Sequence, residues 1–122
     1  MSSFTNGLVI KFIAESKMFR VYISFDYHVG SEDSSDVITV PEGFITDLAS
    51  IPPVARWLIP KIGKHAQAAV LHDYLYNTKM FTRKKSDGVF LEAMTVLKVS
   101  KWKRKTMYRA VRMFGWIPWE KK

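Results

Sequence analysis

The chain has 122 residues, 48% of them hydrophobic and 14% aromatic, which supports one buried core and excludes two-domain enzymes and large barrels. No cysteine is present, so disulfides, thiolate zinc sites, iron–sulfur clusters and a cysteine nucleophile are all removed. The net charge of +8 is unevenly carried, with four basic and seven acidic side chains in residues 1–60 against fifteen and four in residues 61–122, so the positive field belongs to the C-terminal half.

Residues 1–42 read as mainly β. Leu8–Ile13, Phe19–Asp26 and Val37–Val40 are rich in Val, Ile, Phe and Tyr, and Val21, Ile23 and Phe25 alternate with Arg20, Tyr22 and Ser24 as in a half-buried strand. The polar run Val29–Asp36 predicts a loose loop between strands, with His28 beside it facing solvent. Residues 43–63 form a connector in which Pro52 and Pro53 forbid a continuous helix. From 64 to 116 the period is helical. Ala68, Ala69, His72 and Tyr76 recur at spacings of three or four, and Asn77 closes that helix. Thr82 is the expected N-cap of a second helix carrying Asp87, Phe90, Leu91, Met94 and Leu97 on one face and weakened by Gly88. A third runs from Ser100 to just before Gly115 and holds Trp102, Met107, Tyr108, Val111 and Phe114. The expected fold is a single α+β domain over residues 1–122, an N-terminal antiparallel β-meander packed on about three C-terminal α-helices. No run is apolar enough to form a transmembrane segment, and the first residues lack the basic start and long apolar stretch of a signal peptide, which predicts a cytoplasmic protein.

The residues most able to carry chemistry are His72 and Asp73. Neighbours on a helix point about 100° apart, so the two serve different partners rather than each other. His72 shares a stripe with Ala69 and Tyr76 that faces the second helix, where Asp87 lies on the apolar side. Antiparallel packing would let Asp87 hold one ring nitrogen of His72, fix its tautomer and leave the other to accept a proton from water, the logic of a His–Asp hydrolase. The competing view is a buried polar pair that sets helix register and does no chemistry. Asp73 and Asp47 are the candidate ligands for a divalent cation such as calcium, which takes several oxygens. Lys101, Lys103, Arg104, Lys105, Arg109 and Arg112 decorate the third helix, interleaved with Trp102, Tyr108 and Phe114. That composition suits single-stranded nucleic acid or an anionic lipid surface; the plainer alternative is an aromatic core stripe beside a solvated basic face.

The ordered set VPEGFITDLASIPP, AAVLHDYLY, TRKKSDGVFLEAM and MYRAVRMFGW, over about residues 40–116, resembles a family of small phage and prophage proteins known as a domain of unknown function. The resemblance implies a phage setting, in the cytoplasm of an infected or lysogenic bacterium or in the virion, with a phage or host protein as partner. A shorter likeness joins it. His72-Asp73 with Tyr76 three residues on, then Asp87 and Phe90, is similar to the paired catalytic helices of phospholipase A2. This second resemblance implies His72 as general base, Asp73 as calcium ligand, and Asp87 with Tyr76 as the shell that orients the base. Two functions from different classes are therefore expected to compete: hydrolysis of an ester or amide bond in a host envelope component, and a non-enzymatic accessory or virion role exercised through the basic helix.

Overall fold

In the computed structural model the described residues are 3–16, 18–30, 36–46 and 63–121. Most of the proline-rich connector, with Asp47, lies outside them. The chain divides into two compact units, Met1–Asp47 and Leu48–Lys122. Strands followed by helices make this an α+β arrangement.

Among the described residues the first unit holds six short strands: β1 (Ser3–Phe4), β2 (Ile10–Ile13), β3 (Met18–Val21), β4 (Phe25–His28), β5 (Val37–Val40) and β6 (Ile45–Thr46). All pairings are antiparallel, and they form two three-stranded sheets, β1-β4-β5 and β2-β3-β6. The predicted strand Phe19–Asp26 is thus two strands. A bend at Tyr22–Ser24 sends β3 and β4 into different sheets, which leaves Tyr22 and Ile23 exposed although the alternation assigned Ile23 to the core. Period-2 patterning marks faces only while the pleat is unbroken. Val21, Phe25, Tyr27, Ile38 and Val40 are buried, and the Phe4 ring tilts onto Tyr27 at 4.7 Å. Gly43 turns the chain before β6 with φ 91°, a left-handed value that suits glycine. Its N–H donates to Val21 O at 2.8 Å, and Val21 N–H donates to Phe44 O at 2.9 Å, which ties the turn to the end of β3. His28, expected to face solvent, is half-buried on β4, and its Nδ1 is buried without a hydrogen-bond partner.

The second unit holds α1 (Ala66–Thr78), α2 (Arg83–Val96), α3 (Lys101–Phe114) and α4 (Trp116–Lys121). α2 packs on both α1 and α3, and α4 touches α3 and α1. α1 is buried on nearly every side from Ala66 to Tyr76, as expected of a helix rich in Ala, Val and Leu all round. It outruns Asn77, whose side chain donates back to Asp73 O at 2.9 Å, and ends at Lys79 with a left-handed φ of 53°. Thr82 caps α2 through its hydroxyl, which accepts from Lys85 N at 3.1 Å. Ser100 starts α3 with no side-chain cap. The unpredicted α4 accommodates Pro118 in its first turn, where a missing N–H breaks no helical bond.

Candidate functional site

Asp87 is the centre of a buried polar cluster that draws on three helices. One carboxylate oxygen, Oδ1, accepts from His72 Nε2 at 2.7 Å and from Tyr76 Oη at 2.6 Å. The other, Oδ2, accepts from Arg112 Nη1 at 2.8 Å, with Arg83 Nη1 at 3.5 Å. His72, Tyr76 and Asp87 are each 0% exposed. Their placement follows from helix geometry. His72 and Tyr76 stand one turn apart on α1, so both reach the same acceptor on α2, while Arg83 precedes Asp87 by one turn on α2 itself. Arg112 arrives from the last turn of α3.

With Tyr76 and Arg112 donating to it and Arg83 close by, the Asp87 carboxylate acts as an acceptor, which favours the His72 tautomer protonated at Nε2. Phe90 lies 4.6 Å from the His72 ring and Tyr76 4.2 Å, centroid to centroid, which confines the imidazole. Burial, and then the hydrogen bond to the Asp87 carboxylate, push the Tyr76 phenol well above its ordinary value of 10.0. It therefore stays a donor at every physiological pH. Trp119 of α4 meets the Tyr76 ring edge-on at 5.1 Å, and Lys79 Nζ lies 5.3 Å from the Trp119 ring. Gly115 completes the surround. A Cβ there would lie 2.5 Å from Tyr76 Oη and collide with Val111 O, so only glycine lets this turn approach the phenol.

The helix spacing thus brings His72, Tyr76 and Asp87 together. Asp73 is buried too and makes a contact of its own. Asp47 falls outside the described residues. Among those residues no group of three or more His, Cys, Asp or Glu side chains gathers as an ion site. Of the two predicted cation ligands, the described residues include Asp73 alone. His65 stands at the start of α1, two turns from His72, and shares no ligand position with it.

The basic helix divides differently from its sequence grouping. Arg112 belongs to the Asp87 cluster, and Arg104 turns back to donate to Val99 O at 2.9 Å. Lys103 is half-buried, whereas Lys101, Lys105 and Arg109 are exposed. Trp102 and Phe114, which the plainer alternative placed in an aromatic core stripe, are exposed; Met107, Ala110 and Val111 form the buried side. Arg83 escaped sequence reasoning. It donates to Val111 O at 2.9 Å as well as facing Asp87, so it closes the C-terminal carbonyls of α3. The signal was available in its position one turn before Asp87, a spacing at which opposite charges meet. Another concavity, about 250 Å³ and lined by Lys64, His65, Lys98, Ser100 and Lys103, includes none of the Asp87 cluster.

These features define an α+β protein whose helical unit is built around a fully buried His–Tyr–Asp core joined by two partly exposed arginines. The chain belongs to the family described as "Protein of unknown function (DUF1353)", whose model matches residues 19–111. Over 78 residues it is 38% identical to the "Uncharacterized protein y4jT" of Sinorhizobium fredii (strain NBRC 101917 / NGR234), a match covering 62% of this chain and 23% of that relative. No solved structure matches it.

Proposed function

We propose that the protein is a small hydrolase in which His72 is the general base and Asp87 with Tyr76 its orienting shell, acting on an ester or amide of a bacterial envelope component. The carrying observation is the pair of short bonds at Asp87 Oδ1, 2.7 Å to His72 and 2.6 Å to Tyr76. With Nε2 donating to Asp87, Nδ1 becomes the basic nitrogen once substrate binding displaces the further contact that His72 makes in the closed site. Water yielding a proton to Nδ1 attacks the carbonyl carbon. The imidazolium, stabilised by the Asp87 anion, then returns that proton to the departing alkoxide or amine and regains neutrality. Because the ring is fully buried, the reaction requires substrate binding to uncover it, so opening of the site is part of the cycle. The phage setting implied by the sequence resemblance supplies the host envelope as substrate source.

The same burial, together with the hydrogen bonds from His72, Tyr76 and Arg112 and the nearby Arg83, favours a second reading in which the cluster only fastens three helices of a non-enzymatic phage accessory or virion protein. Incubating the chain with bacterial envelope fractions and following released fatty acids and peptides by mass spectrometry separates the two. Product release by the wild type, reduced about 100-fold or more in His72→Gln with unchanged circular dichroism, supports the hydrolase. No release by the folded wild type, or equal release by the variant, leaves the fastening role.

A further inference from the structure

The helix α3 carries two apolar stripes. The inner one, Met107, Ala110 and Val111, is buried. The outer one begins at Trp102 and continues through Met113 to Trp116, because Gly115 keeps a right-handed conformation (φ −65°, ψ −15°) that carries the chain round in the same sense from α3 to the separate α4. At 100° per residue these three positions and Arg109 fall within about 60° of one another, on the side opposite Met107. Trp102 is 54%, Met113 65% and Trp116 50% exposed, and Ile117 beside them is exposed too.

Scattered apolar residues on a surface need no explanation, but an aligned stripe of two tryptophans and a methionine opposite the core does. Lys101, Lys105 and Arg109 flank or interrupt it. α3 contains no acidic residue, and no carboxylate pairs with these three cations among the described residues.

We infer that this outer face of α3 and α4 docks on an anionic lipid surface. Charge complementarity chooses the occupant: the flanking cations match acidic headgroups, while tryptophan bodies suit the boundary between headgroups and acyl chains. Met113 and Ile117, in the outward apolar region, offer nothing to a phosphate or a base edge but gain from leaving water, which favours a bilayer over nucleic acid. Among the described residues no helix is long and apolar enough to cross a membrane, so this face lies on the surface. The inference is independent of chemistry at His72.

The full chain is sedimented with vesicles of equimolar phosphatidylglycerol and phosphatidylcholine, and with phosphatidylcholine alone, at about 50 mM salt. Binding to the anionic vesicles alone is expected. Lys105→Glu and Arg109→Glu each weaken it about fivefold or more, and Trp102→Ser with Trp116→Ser about tenfold or more. The altered side chains are exposed, and circular dichroism checks the fold. His72→Gln binds as the wild type does, which keeps this outcome separable from that of the hydrolase assay. Absence of sedimentation, equal binding to both vesicle types, or tryptophan variants that bind unchanged overturns the inference. So does displacement from vesicles by a single-stranded oligonucleotide that the tryptophan variants bind equally well.

Discussion

Truncating Tyr76 to Phe removes one O–H from Asp87 and leaves the ring packed between His72 and Trp119. The lost bond goes to an ionised, fully buried acceptor, so the expected cost is about 1.5–3 kcal/mol, measured by urea unfolding at neutral pH. The phenol also carries a pH signature. Its folded value is raised above 10.0, so the unfolded chain ionises first; the stabilisation is full below pH 10 and is lost as pH rises toward the folded value. A comparison of alkaline unfolding between wild type and Tyr76→Phe should show the two stability curves converging above pH 10. Parallel curves through that window would mean that Tyr76 does not hold its proton in the folded state.

Among the elements, two glycines, Gly88 exposed and Gly115 buried, should respond to an added methyl in opposite senses. Gly88 lies in the middle of α2, is exposed, and a Cβ there would meet nothing within 4 Å. Gly88→Ala should therefore stabilise by about 0.5–1 kcal/mol, through lower backbone entropy in the unfolded chain and better helix propensity. Gly115 joins α3 to α4 where a methyl would strike Val111 O and Tyr76 Oη. Gly115→Ala should destabilise by about 1–3 kcal/mol, since the turn can give way only by moving backbone or the phenol. Thermal unfolding of both variants checks the pair, and a neutral Gly115→Ala would show that the α3–α4 junction is free to move off Tyr76.

Over the whole molecule, charge is segregated twice: along the chain, into an acidic first half and a basic second, and radially, into a buried carboxylate with arginine partners and exposed cations. Salt distinguishes the radial classes. Exposed Lys101, Lys105 and Arg109 are screened within a Debye length of about 8–10 Å, whereas the Asp87 carboxylate is fully buried with His72 and Tyr76 behind its half-buried arginines. The stability difference between wild type and Asp87→Asn should hence stay nearly constant between about 50 and 500 mM salt, while association with any anionic surface falls steeply. A difference that shrinks with salt in step with surface binding would place the Asp87 cluster in contact with solvent.

What the amino-acid order determined alone was whatever depends on near neighbours. Helix periods, the Thr82 cap and the meeting of His72 and Tyr76 with Asp87 follow from 3.6-residue winding and short connections between adjacent helices. Tertiary structure decided what depends on distant segments. Whether β3 runs on into β4 depends on pairing with β6 and β5, so the bend at Tyr22–Ser24 and the exposure of Ile23 could not be read from alternation. Arg112 resembled its basic neighbours because a guanidinium shows its partner only once α3 is laid against α2, 25 residues away in sequence. Trp102 looked like core for the same reason: periodicity reveals that a helix has apolar stripes, and packing alone selects which one is covered.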